Sequence, residues 1–160
     1  MERYERIFFW FSALMLALFL GALGYVTIFM HIHLPGPAGR IIPKPGQNLA
    51  AAVLSTPPFN RPGLREIAAG RYEAVILAQQ WIFYPRKIEI PVGSEVTFKV
   101  TSPDVTHGFF IPGTRINMMV IPGYVSVETY RFTRSGDYRI LCHEYCGMEH
   151  QTMSAEVAVK

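Results

Sequence analysis

The chain has 160 residues, half of them hydrophobic, and carries a formal net charge of +3 at pH 7. From Arg61 onward, 11 basic residues are balanced by 10 acidic ones, so this part of the chain is nearly neutral and no nucleic-acid partner is expected. The length also leaves no room for a second large catalytic domain beside one folded head.

The first predicted element is a membrane-spanning helix. Ile7 to Met30 are 24 consecutive uncharged positions, and a helix of that length is about 36 Å long, which is enough to cross a bilayer. A cleaved signal peptide is the alternative, but the run exceeds a typical signal h-region and no A-x-A cleavage site follows. We therefore predict a retained anchor over residues 1–33. Basic residues lie on both sides of it, so charge leaves its orientation open.

The next segment, 34–70, is predicted to be a linker. Seven of the twelve prolines fall between Leu34 and Gly63, and this density argues against a helix or a central strand. We expect a semi-rigid tether that holds a head near the membrane. An apolar run at Leu49–Leu54 favours a short helix within the tether, and contact with a partner is the natural use of such a helix.

Short strands are predicted from Arg71 to the end of the chain. Ala74–Phe83 is apolar and aromatic, Val96–Thr101 alternates apolar with polar side chains, and Val157–Val159 closes the sequence. Pro-Gly and Ser-Gly turns separate these runs. Strands of this length and spacing predict an all-β Greek-key β-sandwich over residues 71–160.

Metal-binding side chains are concentrated in twelve consecutive residues, Cys142–Met153, between the last two predicted strands. Cys142, Cys146, His150 and Met153 provide two thiols, an imidazole and a thioether. Thiolate and thioether are soft ligands and imidazole suits copper, so the set predicts a copper loop. A second imidazole is supplied by His107, 35 residues before Cys142. Its segment also contains Asp104, which is placed to brace the loop.

The presence of two cysteines distinguishes between kinds of site. A mononuclear blue-copper centre uses one thiolate, whereas two coppers bridged by both sulfurs would use Cys142 and Cys146 together. Each copper would then take one imidazole, with Met153 on one side and a backbone carbonyl, such as that of Glu144, on the other. A disulfide and a Cys₂His₂ zinc site are the alternatives. Neither has a use for Met153.

An upstream His followed by C-x-E-x-C-x-x-x-H-x-x-M resembles the CuA domain of cytochrome c oxidase subunit II. The resemblance covers Arg71–Lys160 and the anchor, whose single helix is similar to that of the B-type oxidases. It implies a cupredoxin-like head that holds two copper ions in a binuclear CuA centre, and a magnesium ion at Glu144 that is shared with subunit I. The metal ligands that it implies are His107, Cys142, Glu144, Cys146, His150 and Met153.

The same resemblance implies a function. The chain would be the electron-accepting subunit of a terminal oxidase, single-pass in the cell membrane, with the copper domain on the outer side. It would take electrons from cytochrome c and pass them to haem in subunit I, for oxygen reduction coupled to proton pumping. A membrane-tethered copper-delivery protein is the alternative. Such a carrier must release copper, so it would favour a few exposed ligands over a closed cage.

Three aromatic residues, Trp81, Phe83 and Tyr84, occur where the family carries aromatics near the docking patch for cytochrome c. The resemblance implies that electrons reach the centre here. The alternative for Trp81 is the usual role of a tryptophan, which is to pack in the buried core. Because the head is nearly neutral, apolar contact is expected to dominate docking. Of the remaining candidates, His143 is predicted to lie exposed or beside the ligands. Met118, Met119 and Met148 are predicted to fill gaps in the core.

Overall fold

The structure is a computed structural model that describes residues 2–29 and 37–160. The predicted end of the anchor at Met30 and the predicted boundary between residues 33 and 34 lie outside these ranges. The chain divides into two compact units, of which one contains the first helix and the other contains everything from residue 37 onward.

The first unit is one long helix, α1, which spans Arg3–Phe29. None of its side chains is buried, and its length and composition suffice to cross a membrane. Aromatic side chains are frequent along it, with Phe9 and Trp10 in an edge-to-face pair and Tyr25 stacked on Phe29. The prediction of one N-terminal apolar helix is confirmed.

The second unit is a sandwich of two β-sheets. Its elements are β1 (Pro37–Arg40), α2 (Leu49–Ser55), β2 (Gly63–Ala68), β3 (Arg71–Gln79), β4 (Ile82–Tyr84), β5 (Lys87–Ile90), β6 (Glu95–Thr101), β7 (His107–Phe110), β8 (Asn117–Val120), β9 (Tyr124–Arg131), β10 (Gly136–Leu141), a 3-10 turn (His150–Thr152) and β11 (Ser154–Val159).

The strands are divided between the two sheets. One sheet has the strand order β1-β9-β6-β3-β2, with β4 paired to β3, and the other has the order β5-β11-β10-β7-β8. Most neighbours are antiparallel, but β3 pairs with β6 and β11 pairs with β5 in parallel.

The main core fills the space between the two sheets. On β6 the apolar residues Val96, Phe98 and Val100 point inward and are fully buried, as their alternation with polar residues predicts. Phe98 contacts Phe109 of β7, with ring centroids 5.6 Å apart. Aromatic packing of this kind joins the two sheets and gives the loops at the sandwich ends a rigid base.

A second, smaller core lies on the outer face of the first sheet. It forms because β3 is buried on both faces: Ala74 and Ile76 point into the sandwich, while Val75 and Leu77 point outward. The outward pair is covered by α2, which contributes Val53. The covering cluster consists of Ile41, Leu49, Ala52, Val53, Phe59, Val75, Leu77 and Val125.

The structure therefore differs from the predicted linker over 34–70. Strands β1 and β2 form the two edges of the first sheet. Helix α2 packs on the same head, whereas the sequence predicts that it contacts a partner protein. The short helix itself is where the sequence predicts it. Its N-cap is Asn48, whose side-chain oxygen accepts a hydrogen bond from the Ala51 N–H at 2.8 Å. The prolines of this segment exclude a central strand, but they are compatible with edge strands, where the missing N–H is not needed for pairing.

Candidate metal centre

The first candidate ligand, His107, opens strand β7 and is fully buried. Its Nε2 lies 2.9 Å from Asp104 Oδ1, and its Nδ1 lies 3.9 Å from the sulfur of Cys142. Because the carboxylate accepts a hydrogen bond from Nε2–H, the Nδ1 lone pair is left free to face the sulfur. A carboxylate behind a ligating imidazole is the usual way in which a protein fixes the ring and its tautomer.

The side chain of Asp104 is itself held on several sides. Its two oxygens accept from the Ser102 hydroxyl and from the backbone N–H groups of Val105 and Gln80, at 2.7–3.0 Å. Burial acts against its charge, but the hydrogen bonds from His107 and these backbone groups prevail and hold the pKa of Asp104 below its usual value. The prediction that Asp104 braces the loop matches this arrangement.

The second group of ligands lies on the loop that joins β10 to β11. The two sulfurs, Cys142 Sγ and Cys146 Sγ, are 3.7 Å apart, and both cysteines are free. Cys146 Sγ lies 3.6 Å from His150 Nδ1 and 3.7 Å from Met153 Sδ. The carbonyl oxygen of Glu144 lies 3.2 Å from Cys142 Sγ. Four of the six predicted donors thus surround the other two, the pair of cysteine sulfurs.

The donors are distributed evenly over the two sulfurs. On the Cys142 side stand one imidazole, from His107, and the Glu144 carbonyl; on the Cys146 side stand one imidazole, from His150, and the thioether of Met153. The donor atoms of His107, Cys142 and Cys146 all lie within 4.8 Å of one another. Soft sulfur with imidazole and a weak axial donor is a copper-binding set, and the residues present fit that metal.

The two thiols differ strongly in acidity. Burial opposes ionisation of Cys142, but its contact with the His107 ring and the hydrogen bond from the Gly108 backbone prevail and lower its pKa to about 6. Burial raises the pKa of Cys146 to about 12, helped by the hydrogen bond to Cys142 and by the charge of that sulfur. For His107 burial lowers the pKa, while its bonds to Cys142 and Asp104 raise it above the usual value. A cation between the sulfurs would take the place of the Cys146 proton.

The predicted electron-accepting aromatics lie in three different settings. Trp81 is half-buried and lies against the copper loop. A side-chain carbon built at Gly147 would lie only 2.8 Å from the Trp81 Nε1. Gly147 also has a φ of +124°, so only glycine suits the position. Tyr84 is 52% exposed, whereas Phe83 is fully buried against Phe109. Direct contact between Phe83 and a docking protein is therefore excluded.

Several further predictions near the site are resolved by burial. His143 is exposed, with its ring over Gly108, where a side-chain carbon would lie 2.6 Å away. Met118 is buried in the core as predicted, but Met119 and Met148 are exposed, so the prediction that these two fill core gaps is wrong. Met119 alternates with Met118 on β8, an edge strand with one outward face.

Sequence reasoning missed one residue that touches the centre. Gln80 donates from its side-chain amide to the Cys146 carbonyl at 2.8 Å. Nothing in the sequence separates it from the neighbouring Gln79. Only the path of the chain between β3 and β4 brings the side chain of Gln80 to the loop.

The family model described as "Cytochrome C oxidase subunit II, periplasmic domain" matches residues 76–159, which is more than half of the chain. The chain belongs to the cytochrome c oxidase subunit II family. The matched stretch runs from β3 to the end of β11 and includes every candidate copper ligand. This subunit II therefore carries all of its candidate copper ligands within the part that defines the family.

Relatives support the same assignment over the whole length. This subunit II is 39% identical to cytochrome c oxidase subunit 2 of Thermus thermophilus over 166 residues, which cover 98% of this chain and 92% of the relative. It is 32% identical to the alternative cytochrome c oxidase subunit 2 of Bradyrhizobium diazoefficiens over 128 residues, or 79% of this chain and 41% of that one.

Solved structures agree with the fold. A chain from the cryo-EM structure of a haem-copper terminal oxidase dimer is 32% identical, with a TM-score of 0.77, and the match covers 99% of this chain and 100% of that one. The periplasmic domain of cytochrome oxidase subunit II from Bradyrhizobium japonicum matches 55% of this chain and 83% of its own length at 21% identity and a TM-score of 0.51. The predicted all-β, cupredoxin-like sandwich is confirmed.

Proposed function

We propose that this subunit II accepts electrons from cytochrome c at a binuclear copper centre and passes them to haem in subunit I of a terminal oxidase. The observation that carries the proposal is the even arrangement of four donors around two cysteine sulfurs 3.7 Å apart. Cys142 and Cys146, with the four donors around them, would hold the copper, which would supply one-electron exchange with little change in its ligands. Oxygen reduction and proton pumping would take place in the partner subunit.

The role of the chain's own residues in this function is to hold the donors still. The ligands come from two chain segments, and each segment is braced internally: His107 by Asp104, and the loop by the bond from the Cys142 N–H to the Met153 carbonyl, which closes its base at 3.3 Å. A site held from two sides resists relaxation when its charge changes. Low reorganisation of this kind is what rapid electron exchange requires.

Burial also favours electron transfer over copper delivery. His107, Cys146 and Met153 are each at most 4% exposed. A delivery protein must pass its metal to a receiver, which needs exposed and exchangeable ligands. A closed, braced cage is suited to retention, so the alternative of a membrane-tethered copper carrier is the weaker one.

Electrons are proposed to reach the centre through the aromatic surface beside the loop. Trp81 touches the loop at Gly147, and Tyr84 offers exposed area on the next strand. Tyr145 and Met148, on the loop itself, are also strongly exposed. Exposed apolar groups next to the metal ligands suit a docking contact with cytochrome c that rests on apolar area.

Glu144 is proposed to have a second use. Its carbonyl faces the Cys142 sulfur, while its side chain is half-buried and carries a carboxylate. Carboxylates suit magnesium, which takes further oxygen ligands. Those further ligands would come from subunit I.

The proposed location is the cell membrane, with α1 as a single span and the copper head on its outer side. Support comes from the family, whose matched part is described as a periplasmic domain, and from the length and composition of α1. The helix would lie in the lipid bilayer, where none of its exposed apolar side chains would meet water.

Copper stoichiometry and electron paramagnetic resonance of the full chain in detergent test the proposal. We expect two coppers per chain and seven hyperfine lines, because one unpaired electron is shared by two copper nuclei. In Cys146→Ser one bridging sulfur is lost, and the shared-electron spectrum should disappear. Met153→Leu is the milder control, because it removes a weak axial donor and should retain both coppers. Four hyperfine lines in the unaltered chain would contradict a binuclear centre.

A further inference from the structure

We propose that Gln80 is a positioning residue of the copper centre that fastens its two ligand-bearing segments to each other. The inference deepens the function proposed above and rests on it. It concerns the chain between β3 and β4, which contributes no ligand.

Gln80 makes two hydrogen bonds that lead to opposite sides of the centre. Its backbone N–H donates to Asp104 Oδ2 at 2.8 Å, and the other oxygen of that carboxylate lies 2.9 Å from His107 Nε2. Its side-chain Nε2 donates to the Cys146 carbonyl, also at 2.8 Å. One residue is thus bonded both to the support of the upstream imidazole and to the backbone of a bridging cysteine.

The bond to Cys146 acts next to the glycine of the loop, Gly147. The next residue is Gly147, whose φ of +124° shows a backbone position without the restraint of a side chain. The Cys146–Gly147 peptide could therefore rotate, and its rotation would displace the Cys146 sulfur. The Gln80 amide fixes the carbonyl of that peptide, and the Trp81 ring closes the space above Gly147.

The chemistry of the bond permits a selective test. A carbonyl oxygen only accepts hydrogen bonds, so the NH₂ end of Gln80 is required. Gln80→Glu keeps the shape but replaces that donor by an oxygen, and Gln80→Leu removes both polar ends. Both variants retain the backbone N–H and hence the bond to Asp104. Gln79→Glu makes the same change in charge one residue earlier, at the end of β3, and leaves the bond to Cys146 in place.

The measurements are the rate at which a Cu(I) chelator removes copper from the full chain, the reduction potential and the hyperfine pattern. Loss of a group that supports a metal ligand typically costs about 10–100-fold in metal affinity. We expect chelator removal to be at least about tenfold faster in Gln80→Glu and Gln80→Leu, with an altered potential and hyperfine pattern. Gln79→Glu should stay within about twofold of the unaltered chain in release rate.

Three outcomes would overturn the proposal: original release rates and potential in both Gln80 variants, equal effects in Gln79→Glu, or unfolding of both Gln80 variants before copper is added. The last would make Gln80 a residue of the fold rather than of the centre. Failure of the proposed function is visible separately, because the copper count and spectrum of the unaltered chain do not depend on any variant.

Discussion

At the scale of single residues, the contact between Trp81 and the loop is where the proposed electron entry can be tested. The indole lies over Gly147, the residue after Cys146, and its buried Nε1 has no hydrogen-bond partner among residues 2–29 and 37–160. A buried donor without a partner has a cost in stability. A phenylalanine at this position would avoid that cost, so the presence of the larger indole supports the proposed role of Trp81 in docking.

Replacing Trp81 should slow electron uptake without removing copper. In stopped-flow mixing of the copper-loaded full chain with reduced cytochrome c, we expect Trp81→Ala to be at least about tenfold slower, since a Trp at the energetic centre of an interface contributes about 2 kcal/mol or more to binding. Trp81→Phe should be intermediate. Copper content, measured in parallel, should remain that of the unaltered chain.

The matched control for this prediction is Phe83→Leu. Phe83 lies two residues further on but is fully buried, so its replacement loosens the core nearby without changing the docking surface. Its electron-uptake rate should be unaffected. If Trp81→Ala accepted electrons at the original rate with copper retained, Trp81 would be a core aromatic, and the docking site would have to be sought around Tyr145 and Met148.

Residue identity could be predicted from the sequence wherever chemistry restricts the choice of side chain. The donors at Cys142, Cys146, His150 and Met153 follow from ligand type and spacing, and His107 follows from the need for a second imidazole. The contribution of Gln80 could not be predicted, because an amide that donates to a backbone carbonyl leaves no pattern in the sequence. The exposure of Met119 and Met148 was missed because methionine occurs both in cores and on binding surfaces.

At the scale of elements, α2 is part of the head because β3 needs a cover on its outer face. Val75 and Leu77 would be exposed to water without it. The sequence contained a signal for this: Ala74–Ala78 is continuously apolar instead of alternating, as in strands buried on both sides. The proline density of the preceding segment obscured it, because proline limits the type of strand but not whether a segment packs.

Two adjacent residues of α2 allow this packing to be tested. Val53 is fully buried against the sheet, whereas Leu54 is 45% exposed. We expect Val53→Ala to lower the free energy of unfolding of the head by about 2 kcal/mol, from lost apolar burial and the cavity left behind. Leu54→Ala should change it by less than about 0.5 kcal/mol. Urea unfolding of the full chain in detergent, followed by near-ultraviolet circular dichroism, measures both.

Equal and small effects of the two substitutions would mean that α2 is only loosely attached. The segment before Arg71 would then behave as the tether that its prolines suggest. A large effect at Val53 alone would place the N-terminal boundary of the folded head before α2, and fragments that begin at residue 71 would lack part of their core.

At the scale of the whole molecule, the charges that flank the apolar part of α1 are few and evenly divided. Arg3 and Arg6 precede the apolar part of α1, and Arg40 and Lys44 follow it. In the folded head, Arg40 lies over the Tyr124 ring at 5.2 Å. Charge alone is therefore balanced, and the proposal of an outward-facing head rests on the family's periplasmic domain.

Because the charges on the two sides of α1 are balanced, removing the basic residues before the helix should invert part of the population, whereas removing those after it should not. Protease added to intact cells should digest the head and leave a protected fragment that contains α1, and mass spectrometry of that fragment should find Arg3 and Arg6 still present. Arg3→Gln with Arg6→Gln removes the inner charges and should protect part of the population from the protease, since basic residues favour the cytoplasmic side. Arg40→Gln with Lys44→Gln is the matched control, and it should leave the head fully accessible. A head protected in the unaltered chain, or a mature chain that begins after α1, would show that the helix is not an outward-presenting anchor.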